Sequence, residues 1–199
     1  MNKRQFLSFA AFGLGTLSGG IPTMAGTTKR VEDAGTSFDW FHRDGHLFGE
    51  LSASTNGWIA VGFNNATTLQ NTRFVIAVTS GVSVQAEEHI ALVPNHKPVA
   101  ELGLSPALSD VKGSYDNGRS RIGFSLPHQL RNRVGTDHPA LSLSPGSKVQ
   151  LMLAWSHEPD FDHHSAWRRH FNITLSPTKG NLHGSYCKNP RRSHDRFHP

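Results

Sequence analysis

The sequence predicts an all-β protein whose domain is an antiparallel β-sandwich of about nine to eleven strands. Between residues 38 and 175 the apolar residues fall in short, nearly alternating runs, which is typical of strands with one buried face. Turn dipeptides interrupt these runs, among them Asp44-Gly45, Asn56-Gly57 and Asn117-Gly118. Turns at this spacing are expected in a sandwich or barrel.

Nine strands can be assigned in order from these runs and turns. Five of them are residues 38–42, 46–51, 58–63, 73–78 and 82–90. The other four are residues 111–115, 119–126, 149–155 and 170–175. The Asp44-Gly45 and Asn117-Gly118 turns accept the positive φ of a tight hairpin, so each is expected to join a strand pair. A short helical turn is predicted around residues 127–133, and residues 94–106 and 137–146 are predicted loops because they are rich in Pro, Ser and Asn.

The domain is predicted to span residues 36–178, with a leader before it and a tail after it. Lys3 and Arg4 precede a weakly apolar run at residues 6–20 and an exit segment at residues 23–25. This order is typical of an export signal peptide over residues 1–25, so we expect a periplasmic or extracellular protein. Residues 2–8 resemble the twin-arginine export motif with Lys3 in place of the first arginine, and that route carries folded proteins that often hold a cofactor. An ordinary secretory leader is the alternative.

The net charge of +5 separates by region and does not indicate nucleic-acid binding. The leader contributes +2, and residues 179–199 contribute +4 because five basic residues there accompany Asp195 alone. Residues 26–178 therefore sum to −1. The tail at residues 179–199 is predicted to be a basic disordered segment. A body without excess positive charge argues against nucleic acid as a partner.

The chain is predicted not to be an enzyme, and its one cysteine excludes several metal centres. Cys187 alone cannot form an internal disulfide, a Cys-based zinc finger or the two thioether bonds of c-type haem. There is no Gly-x-Ser-x-Gly motif for a serine nucleophile. Glu87 and Glu88 are adjacent on a predicted strand, so their side chains point to opposite faces and cannot act as a facing acid pair. The 13 histidines are the residues most able to carry chemistry.

Three segments together resemble the DOMON domain family. Residues 40–63 contain a Trp strand, a hairpin and the motif Gly-Trp-Ile-Ala-Val-Gly-Phe, which match the opening of that domain. The match continues through residues 69–78 and closes with residues 149–175. The resemblance implies a β-sandwich that holds either b-type haem or a sugar, here in an exported bacterial member.

The last of these segments contains the binding residues that the resemblance implies. In haem-binding members one axial ligand is a His just before the final strand, and His164 stands four residues before Arg168 as that His does. His164 is therefore the expected iron ligand, with His163 beside it. Phe161 or Trp167 is expected to pack on the macrocycle. The alternative is that both histidines are solvated loop residues.

The second axial position is where the sequence departs from the family. The other ligand in the family is a Met shortly after the Gly-Phe strand, but Leu69 stands there, and Arg73 stands where an acidic residue is usual. A leucine has no lone pair, so three outcomes remain: five-coordinate haem, another residue as ligand, or no haem. Met152 is one candidate ligand. A bis-His site could draw on His42, His46 or His89.

The expected function is non-covalent haem b binding, either in electron transfer with a redox partner protein or membrane cytochrome, or in small-ligand sensing. An open sixth position on the iron would favour sensing. The alternative is a haem-free module that binds carbohydrate or another small ligand, with tryptophans stacked on sugar rings. The tryptophans are Trp40, Trp58, Trp155 and Trp167.

Overall fold

The computed structural model describes residues 29–131 and 140–176. Within these ranges the chain is all-β and every strand pairing is antiparallel, which confirms the predicted fold class. The strands are β1 (Lys29–Asp33), β2 (Thr36–Arg43), β3 (His46–Ala53), β4 (Ile59–Asn64), β5 (Arg73–Ser80), β6 (Ser83–Ala91), β7 (His96–Pro98), β8 (Ser109–Asp116), β9 (Arg119–Pro127), β10 (Gln129–Leu130), β11 (Leu141–Ser142), β12 (Lys148–Trp155) and β13 (Trp167–Thr174). In the described residues the only helical element is a short 3-10 helix, Val99–Leu102.

Two sheets form the sandwich. The five-stranded sheet has the order β1-β2-β3-β9-β8, and the six-stranded sheet has the order β13-β12-β4-β5-β6-β7. Strands β10 and β11 form a separate two-stranded ribbon. The main hydrophobic core lies between the two sheets and includes Phe38, Leu51, Ile122 and Leu153, all fully buried.

The two predicted hairpin turns are confirmed by their backbone angles. Asp44 and Gly45 have φ values of 48° and 76°, and Asn117 and Gly118 have φ values of 50° and 75°. Positive φ at both central residues matches the right-handed twist of the paired strands. These turns join β2 to β3 and β8 to β9.

The central strands β4, β5 and β12 of the six-stranded sheet are mostly buried on both faces, although antiparallel sheets often have one face in water. All six residues of β4 are buried. Because successive side chains point to opposite faces, Ile59 and Val61 enter the main core while Ala60 lies on the other side. The second side carries its own hydrophobic cluster, here called the outer apolar face, of Trp58, Ala60, Phe74, Ile76, Ala91, Met152, Ala154 and Phe161.

Three features of the fold differ from the sequence prediction. Strand β1 precedes residue 36 and pairs with β2, but its five residues are mostly charged and exposed, so no apolar pattern reveals it. Both predicted loops contain short elements, since residues 94–106 include β7 and the 3-10 helix and residues 137–146 include β11. Residues 129–130 are extended rather than helical, because Leu130 pairs with Leu141 and both are buried.

The predicted leader at residues 1–25 and the tail at residues 179–199 lie outside the described residues. Among the segments that the structure describes, no helix is long and apolar enough to cross a membrane.

Candidate functional site

An open pocket lies on the outer apolar face of the six-stranded sheet. It has a volume of about 610 Å³, counting the solvent at its mouth. The β4–β5 loop, the β6–β7 turn and the β12–β13 loop all contribute to it. Its described lining residues are Trp58, Ala60, Leu69, Phe74, Ile76, His89, Ala91, Pro94, Asn95, His96, Met152, Ala154, His163, His164, Ser165 and Arg168.

Small residues make the floor of the pocket concave. Ala60, Ala91 and Ala154 lie on three different strands and are at most 3% exposed. A Cβ atom at Gly62 would come within 2.6 Å of the Phe74 ring, so only glycine lets that ring lie against β4. The floor is therefore apolar and shaped by side chains that project little from the sheet.

The β12–β13 loop is fastened to the start of β4. The backbone N–H of Ser156 donates to the carbonyl oxygen of Trp58 at 2.9 Å. The Thr55 hydroxyl donates to the carbonyl oxygen of Ser156 at 2.6 Å, and the Trp58 indole N–H donates to the carbonyl oxygen of His163 at 3.2 Å. These bonds hold His163 and His164 at the mouth of the pocket.

The two histidines of this loop differ in their contacts. Nδ1 of His163 lies 3.5 Å from Oδ2 of Asp160, and both side chains are more than half exposed, at 56% and 61%. His164 forms no hydrogen bond with any residue that the structure describes, so its imidazole is available to a ligand. Arg168 also lines the mouth and forms no ion pair within the described ranges. The described lining thus offers imidazole and guanidinium groups and no carboxylate.

The loop that carries Leu69 is organised by one buried amide. Asn64 is 1% exposed. Its side-chain nitrogen donates to the carbonyl oxygens of Thr68 at 2.7 Å and Gln70 at 3.0 Å. Its side-chain oxygen accepts from the backbone N–H of Ala66 at 3.1 Å. Asn64 therefore fixes the loop in which the Leu69 side chain enters the pocket.

The wall formed by β6 and β7 contributes two further imidazoles. His89 faces the same side of the sheet as Phe74, its partner across the ladder, and is 4% exposed. Nδ1 of His89 lies 2.8 Å from Nδ1 of His96. Nε2 of His89 lies 3.2 Å from Oε2 of Glu87. A carboxylate and two imidazoles thus form a hydrogen-bonded chain that ends in the pocket.

His96 is electrostatically coupled to the groups around the pocket. Burial lowers the pKa of His96, and the neighbouring His89 and His164 lower it further. The carboxylate of Asp162 acts in the opposite direction. His164 therefore lies near enough to His96 for a charge on one to disfavour a charge on the other.

Most of the predicted site residues meet in this pocket. His164, His163 and Leu69 line it. Phe161 lies in the outer apolar face with its ring 6.1 Å from that of His89 in an edge-on contact. Met152 and His89, two of the alternative ligands, line it as well.

Trp167 lies outside this pocket. Its ring stacks on Trp155 at 6.5 Å and packs against the main core. The reason is the alternation of β13, because Arg168 is the next residue and faces the pocket. His42 and His46 belong to the five-stranded sheet, so they are also outside the pocket.

Arg73, at the position where the family usually has an acidic residue, forms a buried ion pair on the inner side of the sheet. Its Nη2 lies 2.7 Å from Oε1 of Glu88. Its Nη1 donates to the carbonyl oxygen of Arg131, while Oε2 of Glu88 accepts from the backbone N–H groups of Ala107 and Leu108. This network fastens the segment before β8 and the segment after β10 to the sheet. It faces away from the pocket.

The sequence analysis missed His96 and Asn64 as site residues. His96 lies in a segment predicted as a loop, and it reaches the pocket only because β7 pairs with β6. Asn64 ends a strand, and its partners are loop carbonyl groups that no sequence pattern reveals. An Asn directly after a buried apolar strand is the one available signal, because such residues often order the following turn.

Two solved structures are similar to this chain. The cytochrome b domain of pyranose dehydrogenase from Coprinopsis cinerea aligns with a TM-score of 0.53 and 10% identity, over 75% of this chain and 82% of that one. The cytochrome domain of cellobiose dehydrogenase from Myriococcum thermophilum aligns with a TM-score of 0.53 and 13% identity, over the same shares. No protein-family model and no curated protein matches the sequence. The likeness establishes the fold, and the expected DOMON-like sandwich is confirmed.

Proposed function

We propose that this chain is an exported protein that binds haem b without a covalent bond, with His164 as an axial ligand. The observation that carries the proposal is the pocket on the outer apolar face, where an imidazole without a hydrogen-bond partner in the described structure stands at the mouth. The two similar structures are described as cytochrome domains, which agrees with this proposal.

The chemistry of the pocket fits a flat, apolar and anionic group. The floor is built from aliphatic and aromatic side chains, as a macrocycle requires. The polar lining groups are four imidazoles, the Asn95 amide, the Ser165 hydroxyl and the Arg168 guanidinium, and the described lining includes no carboxylate to repel a propionate. A bis-imidazole donor set suits iron in a porphyrin.

Each group of the pocket has a role in this proposal. His164 would hold the iron through its imidazole, and Arg168 would pair with a carboxylate of the ligand. The apolar floor excludes water and so lowers the local dielectric constant, which is one of the factors that set a reduction potential. Haem, when bound, supplies a reversible one-electron change at iron or a position where a small ligand can bind. These two uses correspond to electron transfer with a partner protein and to ligand sensing.

The carbohydrate alternative has less support. Trp58 and Trp40 are each 4% exposed, so neither offers a face on which a sugar can stack. The rings of Trp155 and Trp167 stack on each other. The pocket also lacks described carboxylate groups, which often accept hydrogen bonds from sugar hydroxyls.

A titration with hemin tests the proposal. Because Trp58 lines the pocket, we expect its fluorescence to be quenched as a Soret band appears, with saturation at one hemin per chain. The variant Trp58→Phe should bind hemin with less quenching. Saturable binding of a glycan by a chain that develops no Soret band would contradict the proposal.

Export is a separate part of the proposal, and it rests on residues 1–25. Fusing these residues to a reporter protein should direct it out of the cytoplasm. The substitutions Lys3→Gln and Arg4→Gln together should retain it inside, because an export signal needs a positive start. A fusion that stays in the cytoplasm would remove the export claim and leave haem binding in place.

A further inference from the structure

His96 presents a ring nitrogen to the pocket that no described residue engages. The imidazole is half-buried on β7 and lines the pocket. Its Nδ1 is occupied by His89, whereas its Nε2 has no hydrogen bond with any residue in the described ranges. This arrangement differs from that of His89, whose two nitrogens both have partners.

The hydrogen-bonded chain behind His96 determines which nitrogen carries the proton. A carboxylate accepts, so Nε2 of His89 is the donor in its contact with Glu87. In the neutral form of His89 the other ring nitrogen, Nδ1, is then an acceptor. Nδ1 of His96 must then donate to it, which leaves the lone pair of His96 on Nε2.

This tautomer is the one that a metal-binding imidazole needs. Histidine ligands commonly donate the hydrogen of their second nitrogen to a neighbouring acceptor, which fixes the ring and raises the basicity of the coordinating nitrogen. His89 supplies that acceptor for His96, and Glu87 supplies it for His89. His89 is only 4% exposed, so its ring is held in place between Glu87 and His96.

We propose that His96 would hold the iron of a bound haem together with His164, and that His89 is the positioning residue of His96. This inference rests on the proposed haem binding and answers what replaces the missing Met at Leu69. His163 is a weaker candidate because its Nδ1 faces Asp160 and its side chain is 56% exposed. Met152 is part of the apolar floor and is 6% exposed.

The assignment decides between the two uses of the site. If both imidazoles held the iron, no position would remain for a small ligand, so small-ligand sensing is disfavoured. A six-coordinate iron that keeps its ligands in both oxidation states reorganises little, which suits electron transfer. The expected role is therefore that of an electron carrier with bis-His coordination.

Absorption spectra of the full chain reconstituted with hemin test this inference. The reduced wild-type protein should show the sharp α and β bands of a low-spin six-coordinate iron. The variant His96→Ala should keep a Soret band but become high-spin, and added imidazole should restore the low-spin bands. His46→Ala, which changes a histidine outside the pocket, is the matched control.

The outcomes separate this inference from the proposed function. Absence of any Soret band in a folded wild-type chain contradicts haem binding itself. A Soret band with a low-spin spectrum in His96→Ala leaves haem binding in place and overturns the role of His96. A high-spin wild-type protein overturns it as well. If His96→Ala does not fold, His96→Met provides the test, since a Met/His pair should raise the reduction potential.

The positioning role of His89 has its own readout. Substitution His89→Phe removes the acceptor for Nδ1 of His96, so the coordinating nitrogen becomes less basic. We expect a raised reduction potential and a larger high-spin fraction, with the Soret band retained. Glu87→Gln should shift the potential in the same direction by less. A potential equal to that of wild type in both variants would exclude the positioning role.

Discussion

At the scale of single residues, the site depends on which histidines have partners. His163 and His164 are neighbours on one loop, but His163 lies next to Asp160 and His164 has no such contact in the described structure. Both are near the pocket, so proximity alone does not distinguish them. The two residues are distinguished by whether the imidazole is available to a ligand, and this is why we propose His164 as the ligand.

The substitution His164→Ala tests this selection. We expect hemin affinity to fall by at least about tenfold, because loss of a ligand should cost no less than loss of an outer-sphere partner. His163→Ala is the matched control and should bind hemin within about threefold of wild type, as expected for an exposed side chain. Hemin titration followed at the Soret band measures both. Equal losses in the two variants would contradict the assignment.

A second prediction at the scale of residues concerns His42 and the pH dependence of the free energy of unfolding. Its Nδ1 lies 3.2 Å from Nε2 of His128, and burial together with His128 lowers the pKa of His42 to about 4. In the unfolded chain His42 has an ordinary pKa of ~6.5, so the unfolded state binds the proton more readily than the folded state does. The free energy of unfolding should therefore decrease as the pH falls from about 6.5 towards about 4, by on the order of 1 kcal/mol after solvent screening.

Urea denaturation at pH 7 and pH 5 measures this effect. The variant His42→Gln should show a smaller loss of stability between the two pH values than wild type. An equal loss in both proteins would show that other groups cause the pH dependence.

The sequence reveals part of this residue-scale account. His164 can be found because its position before Arg168 resembles a family pattern. His96 cannot, because its role depends on contacts with residues of β6 that only pairing brings together. The side of the sheet on which Trp167 lies cannot be predicted, because a loop precedes β13 and the residues of that strand cannot be assigned to a face from the sequence.

At the scale of elements, the six-stranded sheet differs from a sheet of a simple sandwich because its outer face is also apolar. Strands β4, β5 and β12 place alternate residues in the main core and on the outer face. A sheet covered on both sides reads as a nearly continuous apolar run, and residues 58–63 have this character. The run predicts burial of both faces, but it does not predict that one face is an open pocket.

The variant Ala154→Leu tests the role of this face. Ala154 is 1% exposed and lines the pocket floor, so a larger side chain should fill the space that a ligand needs. We expect hemin affinity to fall by at least about tenfold and the melting temperature of the free protein to change little, because the pocket has room for the added atoms. Thermal unfolding and hemin titration measure the two effects.

Ala77→Leu is the matched control for that variant. Ala77 is 0% exposed and belongs to the main core on the opposite face of the sheet, where a larger side chain must displace its neighbours. We expect this variant to lose ~1–3 kcal/mol of stability. If Ala154→Leu were destabilised as much as Ala77→Leu and still bound hemin normally, the outer face would be ordinary core.

The strands themselves were largely predictable, and the exceptions have physical causes. Each predicted strand overlaps an observed one, because alternation and turn dipeptides are local signals. Strands β1 and β7 were missed since one is charged and the other has only three residues. Strand β10 was taken for a helical turn, because its pairing with β11 depends on a residue eleven positions away.

At the scale of the whole molecule, the fold has two apolar layers. The closed layer lies between the two sheets, and the open layer is the outer apolar face of the six-stranded sheet, where the pocket meets solvent. The closed layer between the sheets stabilises the sandwich. The open layer on the six-stranded sheet leaves loops free to bring polar groups over an apolar floor. Charge is also divided, since residues 26–178 sum to −1 while the excess positive charge lies in residues 1–25 and 179–199. The +5 of the whole chain therefore says little about the pocket.

The haem content of the purified chain tests the central claim most directly. A pyridine haemochrome assay on protein produced with its own leader, and again after reconstitution with hemin, gives the number of haem b groups per chain. We expect one per chain and a Soret band, with the content falling sharply in the double variant His96→Ala, His164→Ala. A folded wild-type chain that remains free of haem after reconstitution would contradict the account.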